Sequence, residues 1–141
     1  MIGLQEALPS YHLLELPDAE HINSDLWQQY QAVRDAADLQ RSHYFEGRYE
    51  NIYVPADRLP ALAPVLRAAR QGAQQFLGCQ VDALACGFWI NEMGPGHVTL
   101  SHRHDEDDEL VSAVYYVRVP ENSGALVLGQ GGRSSPHCAA R

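Results

Sequence analysis

His102 and His104 stand one residue apart at the head of an acidic run, Asp105, Glu106, Asp107, Asp108 and Glu109, which leads into an alternating segment. On a β-strand, residues i and i+2 point to the same side, so an extended backbone through 98–104 turns both imidazoles toward one point in space. Two histidines and a carboxylate on one face of a metal ion form the ligand set of non-haem Fe(II) sites, which keep their other positions open for a co-substrate and oxygen. Asp105 or Glu109 is placed to supply the oxygen donor, and the candidate ligands are His102, His104 and Asp105. The same His-x-His spacing also occurs in exposed turns. Glu106, Asp107 and Asp108 read more simply as a solvated loop that blunts a sheet edge.

Neighbouring strands of an antiparallel sheet bring side chains onto a common face, which makes Trp89, Asn91 and Tyr116 candidates to line a pocket beside the metal and hold a cofactor. The alternative for Trp89 and Tyr116 is that they are core aromatics with their polar ends hydrogen-bonded. The other histidines carry less. His12, His21 and His43 lie in the N-terminal third, His97 has the opposite strand parity to His102 and His104, and His137 lies in the C-terminal tail. There is no Gly-x-Ser-x-Gly elbow and no phosphate-cradling glycine loop, and Gly129-Gln130-Gly131-Gly132 follows a strand pattern but opens no helix.

The elements that must position these residues fall into two groups. Ile22, Leu26, Tyr30, Val33 and Ala37, at spacings of three and four, predict a helix within 18–38 after Pro17. The aromatic segment Ser42 to Val54 reads as a strand or an extended arm ending at Pro55. Leu62, Val65, Leu66, Ala69, Ala73, Phe76 and Leu77 predict a second helix after Pro60, ended by Gly78. From Ala83 the period becomes two. Strands are expected over 83–90, 98–104, 110–119 and 125–128, with turns at Gly94-Pro95-Gly96 and at Pro120 to Gly124. In the third strand Val111, Ala113, Tyr115, Val117 and Val119 share one face, and Ser112, Val114 and Tyr116 the other. Helices followed by a meander of strands imply an α+β domain with an antiparallel sheet.

The chain has 141 residues, 45% of them hydrophobic, enough for one ordinary core, so 1–141 is read as a single domain with 129–141 a loose tail. A formal charge of −8 without a basic cluster disfavours nucleic acid and anionic membrane as partners. Three cysteines, Cys79, Cys86 and Cys138, with no Cys-x-x-Cys pair, argue against a disulfide framework or a thiolate zinc site and fit a reducing, cytoplasmic setting. No apolar run approaches the length of a membrane span, and the N-terminus lacks a signal-peptide pattern.

The order Trp89-Ile90-Asn91, Gly94-Pro95-Gly96, His102-Arg103-His104, Ser112-Ala113-Val114-Tyr115-Tyr116-Val117, Val119-Pro120 and Ser123-Gly124-Ala125-Leu126 resembles a group of Fe(II)/2-oxoglutarate-dependent oxygenases. Upstream, Tyr44-Phe45-Glu46-Gly47 and the helix before Gly78 occupy corresponding places, so the resemblance covers roughly residues 40 to 128. It implies a double-stranded β-helix of the jelly-roll or cupin-like kind, with N-terminal helices packed on it. It also implies iron and 2-oxoglutarate as cofactor and co-substrate, and hydroxylation of a small-molecule substrate. The superfamily motif is His-x-Asp. Here His104 stands where the aspartate is expected and Asp105 follows one place later, which leaves the second ligand open. Gly96, His102, His104 and Glu109 are also similar to the first part of the cupin pattern, although Tyr116 stands where that pattern has its final glycine.

Both families take a further histidine from a later strand, and the oxygenases an arginine for the far carboxylate of 2-oxoglutarate. Thirteen residues follow Leu128; they include Arg133 and His137, but Ser134-Ser135-Pro136 lacks a strand pattern. The expectation is therefore an incomplete barrel, either an active oxygenase or an inactive truncated relative. The competing readings are a cupin-like metalloprotein of other activity and a non-catalytic module that forms a homodimer through open sheet edges.

Overall fold

The computed structural model describes residues 11–78, 80, 84–102 and 109–128, and the backbone of Cys138 and Ala139. The elements are α1 (Ala19–Val33), β1 (Gln40–Phe45), β2 (Arg48–Tyr53), two short 3-10 turns (Ala56–Arg58 and Pro60–Leu62), α2 (Ala63–Leu77), β3 (Val98–Thr99) and β4 (Cys138–Ala139). The mixture of helices with antiparallel strands is that of the expected α+β class, although the ladder of the six-residue strands β1 and β2 lies ahead of Ala83 and not in the meander expected after it.

Helix α1 begins after Pro17 and Asp18, whose backbone is left-handed at φ 60°, and Ile22 N–H donates to the Asp18 carbonyl at 3.1 Å. Its apolar stripe buries Leu26 and Tyr30. Helix α2 starts with a proline in its first turn, where the missing N–H costs nothing, and ends on Gly78 at φ 68°, whose N–H reaches the Gln74 carbonyl at 2.7 Å. Only Val65 of its apolar face enters the core. Phe76 and Leu77 are exposed.

The single strand or arm expected over 42–54 is a hairpin. Glu46 and Gly47 both have positive φ, 47° and 83°, as the two-residue primed turn requires, and Gln40 pairs with Tyr53 through Phe45 with Arg48. Leu39, Val54 and Leu59 at the hairpin's open end join Leu26, Tyr30 and Val65 as the buried core. Leu16, Ile22, Ile52, Phe88, Ile90, Tyr115 and Val117 pack around them.

One bridge attaches the next segment to this hairpin. Ile52 and Ile90 exchange both backbone hydrogen bonds, at 2.9 and 2.8 Å, so the 84–92 stretch runs antiparallel along the free side of β2. Val98–Thr99 pairs with Cys138–Ala139, which takes those two residues of the tail into a ladder.

The meander differs from expectation. Among the described residues pairing stops at two two-stranded ladders and the one bridge, and 110–119 and 125–128 form no ladder, so these residues display mixed helix and antiparallel strand without the ladders of a double-stranded β-helix. Alternation holds locally, at 88–90 and 115–117, while Val111, Ala113 and Val119, expected on the inward face, are exposed. Tyr115 and Val117 pack on the core while Val114 and Tyr116 are exposed, and Phe88 and Ile90 face inward while Trp89 does not. Alternation fixes which side of an extended chain faces the apolar interior, but a strand also needs a partner for its N–H and C=O groups.

Leu14, in the segment ahead of α1, rests against Gly72. A Cβ on Gly72 would stand 2.3 Å from Leu14 Cδ1. Gly72→Ala therefore gains helix propensity of about 0.5–1 kcal/mol and loses a comparable amount by displacing Leu14, which is 51% exposed. The expected outcome is an unchanged melting temperature with faster limited proteolysis between residues 11 and 17.

Candidate functional site

The segment that leads to His102 leaves the turn Gly94-Pro95-Gly96, which His97 closes twice; the strand expected over 98–104 is limited to Val98–Thr99 among the described residues, and His102 lies beyond it. The His97 N–H donates to the Gly94 carbonyl at 3.1 Å, and its Nδ1 accepts from Gly94 N–H at 2.7 Å. His97 is thus a turn cap, in keeping with its parity.

Five residues beyond it, His102 Nδ1 lies 3.0 Å from the Leu100 carbonyl oxygen. A carbonyl only accepts, so Nδ1 carries the proton and the ring lone pair belongs to Nε2. That is the tautomer in which metal-bound histidines are commonly held, with the second ring nitrogen fixed by a backbone carbonyl. His104 and Asp105 lie outside the described residues. Among the described residues no three His, Cys, Asp or Glu side chains form a metal-holding group. Glu109, the cupin-type ligand, is described and exposed.

The three residues expected to line the pocket have separate placements. Trp89 and Tyr116 are exposed and not part of the core. Asn91 is engaged: its Oδ1 accepts from Arg48 Nη1 at 2.8 Å. Two hollows of about 340 and 370 Å³ lie elsewhere, one beside Asp38, Gln40 and Tyr53, the other between Leu14–Pro17 and α2. Neither is lined by His102, Trp89, Asn91 or Tyr116.

Two polar clamps hold the segments that lead to His102, and neither was anticipated from sequence. Arg48 donates to Asn91, to Thr99 Oγ1 at 3.3 Å and to Glu50 Oε1 at 3.4 Å, joining β2, the 91–92 stretch and β3. Glu92, the next residue after Asn91, faces the other way: Tyr30 Oη donates to its Oε2 at 2.6 Å and Arg34 Nη1 to its Oε1 at 2.9 Å, tying the same stretch to α1. The signal available for the first clamp was Arg48-x-Glu50, opposite charges at i and i+2 on one strand face. The second joins residues about 60 positions apart and left no local trace.

Burial pushes the Tyr30 phenol well above its ordinary range, and the hydrogen bond and charge of Glu92 push the same way against Arg34 and Arg41. The unfolded phenol ionises near pH 10. A raised folded value means that the contribution of Tyr30 is complete below that pH and is lost progressively as the pH rises toward the folded value. Tyr30→Phe is expected to flatten the loss of stability between about pH 10 and 12, as measured by denaturant unfolding at each pH. Tyr115, which donates to Asn23 Oδ1 at 2.5 Å, is also raised by burial, in part offset by that hydrogen bond.

Among the described residues no helix is long and apolar enough to cross a membrane. Comparison with protein-family models, with curated proteins and with solved structures finds no match to this chain.

Proposed function

We propose that this chain is a domain of the Fe(II)/2-oxoglutarate oxygenase type, with His102 as one metal ligand and the double-stranded β-helix as the architecture its strand segments belong to. The observation that carries the reading is the hydrogen bond from His102 Nδ1–H to the Leu100 carbonyl, which assigns the ring lone pair to Nε2, the nitrogen proposed to meet the metal. His104 and Asp105 are the remaining proposed ligands, and Trp89 and Tyr116 the side chains beside the co-substrate. Bound iron with 2-oxoglutarate supplies dioxygen activation, with succinate and carbon dioxide released as a carbon of a small-molecule substrate is hydroxylated. The part of this chain's own residues is to orient. Arg48 fixes β3 against β2, and the Leu100 carbonyl fixes the imidazole.

Anaerobic titration of the metal-free protein with Fe(II), with and without 2-oxoglutarate, tests this. The expected result is a visible charge-transfer band that needs both and disappears when oxygen is admitted. Removing a partner of a ligand weakens metal affinity about 10–100-fold, so removing the ligand itself in His102→Ala is expected to exceed that. Metal binding without the band would point to a cupin-like site instead.

A second reading is favoured by a different observation. Leu110, Val114, Val119, Leu126 and Leu128 are exposed on segments without a ladder among the described residues. Such surfaces suit a non-catalytic module that pairs with a second copy. An unchanged oligomeric state in His102→Ala together with no Fe(II) binding by the wild type would favour it.

A further inference from the structure

The two faces of the β1–β2 hairpin have different characters. One carries Arg41, Arg48, Glu50 and Ile52, and turns to the core, to the Arg34 and Ala36 carbonyls and to the Asn91 clamp. The register places Gln40, Ser42 and Tyr44 with Tyr49, Asn51 and Tyr53 on the opposite face. That face has aromatic rings and neutral hydrogen-bonding groups, and no charged side chain.

His43 joins it against its parity. Strand alternation assigns it to the side of Arg41, yet its imidazole meets Ser42 Oγ at 2.9 Å and Asn51 Nδ2 at 3.2 Å. Its backbone adopts φ 56°, a left-handed conformation inside a strand, which an L-residue holds only under strain. Asn51 Nδ2 also donates to Tyr53 Oη at 3.2 Å, and Tyr53 Oη lies 3.0 Å from Ser42 Oγ, so the four side chains close a ring. An amide nitrogen only donates, which makes His43 Nδ1 an acceptor and places the imidazole proton on Nε2. The ring therefore holds the four groups in one orientation. Among the described residues it leaves His43 Nε2–H and Asn51 Oδ1, one donor and one acceptor, without a partner.

Beside this ring, Tyr44 and Tyr49 stand edge to face with centroids 5.0 Å apart, and they are 66% and 43% exposed. At its other end opens the hollow lined by Gln40, Tyr53 and Asp38, whose carboxylate is paired with Arg58. An exposed aromatic pair next to oriented, uncharged donors and acceptors suits a ligand that alternates C–H faces with hydroxyl groups. Absence of positive charge on the face, together with the chain's −8, weighs against phosphates and polyanions.

We propose that the outer face of the β1–β2 hairpin is a binding platform for a neutral saccharide, with Tyr44 and Tyr49 against sugar rings and His43 and Asn51 on hydroxyls. This goes beyond the metal reading and does not depend on it.

The test is an amide-correlation NMR titration of the full chain with three uncharged probes, cellohexaose, maltohexaose and chitohexaose, up to about 10 mM, beyond the range of weak specific complexes. An oligogalacturonate is the charged comparison. The expected result is binding of at least one neutral hexasaccharide, with shifts centred on residues 40–53. Tyr44→Ala and Tyr49→Ala should each weaken it about five- to tenfold. His43→Gly is the second variant: glycine adopts the positive φ freely, so the hairpin stays folded, and the lost imidazole should still weaken binding. A purely structural role for His43 predicts unchanged affinity in that variant, and such a result overturns the assignment of His43 to the ligand. The platform itself is overturned by no binding of any neutral probe, by binding of the uronate alone, by an affinity unchanged in both Tyr44→Ala and Tyr49→Ala, or by capture of a peptide ligand on this face in place of any sugar.

Discussion

Replacing Leu59 by Ala is expected to lower the unfolding free energy by about 2–5 kcal/mol, the range for burying a cavity where a leucine stood. Leu59 is 1% exposed and is the most completely buried large side chain among the described residues. It sits between the two 3-10 turns, where its N–H bonds to the Ala56 carbonyl at 3.1 Å and its carbonyl accepts from Leu62 N–H at 2.8 Å, so the backbone is pinned on both sides and the site relaxes poorly. Its neighbours in the core come from α1, from the open end of the hairpin and from α2. A deletion there weakens every element at once. With few fully buried side chains sharing the work, a loss of this size is a large part of a typical stability of about 5–15 kcal/mol. Leu59→Met, which keeps the volume, should cost less than about 1.5 kcal/mol. Urea unfolding of the two variants checks the pair, and equal losses would place the core elsewhere.

Arg48→Ala is expected to cost about 1–3 kcal/mol, the cost of leaving partly buried polar and charged groups without their donor. The Arg48 and Glu50 side chains are 10% and 19% exposed, so removing the guanidinium leaves a carboxylate with little solvent to turn to. Asn91 Oδ1 and Thr99 Oγ1 lose a donor at the same time. Arg48→Lys should not restore stability, because one ammonium cannot reach three acceptors spread over β2, the 91–92 stretch and β3. The double change Arg48→Met with Glu50→Leu removes the partly buried charge along with its partner and should recover most of the loss. Because β3 leads to His102, Fe(II) affinity should fall in Arg48→Ala and return in the double variant. Thermal unfolding and metal titration on the same samples separate the two effects. Full Fe(II) affinity in Arg48→Ala would sever the clamp from the site.

The residues that sequence reasoning read well are those whose conformation depends on close neighbours. Gly78 ended α2 because a left-handed cap needs no Cβ, Gly94-Pro95-Gly96 made a turn, and the parity of 110–119 put Tyr115 and Val117 inward and Tyr116 outward. The Glu46-Gly47 turn was readable in principle, yet a run of aromatic residues across 42–54 looked continuous because alternation persists through a two-residue hairpin. His104 and Asp105 fall outside the described residues, so the ligand set continues to rest on their sequence and on the tautomer of His102.

By itself, then, the sequence determined where α1 begins, the Gly78 cap that ends α2, the Gly94-Pro95-Gly96 turn and the inward sense of Phe88, Ile90, Tyr115 and Val117, since these follow from steric preferences and periodicity over a few neighbours. Tertiary structure alone decided that Asn91 serves Arg48, that Glu92 ties its strand to Tyr30 and Arg34, and that His43 crosses to the outer face of the hairpin. It also decided which extended segments found a ladder. A hydrogen bond between residues far apart in the chain forms only when packing brings its two halves together, and no local pattern encodes that meeting.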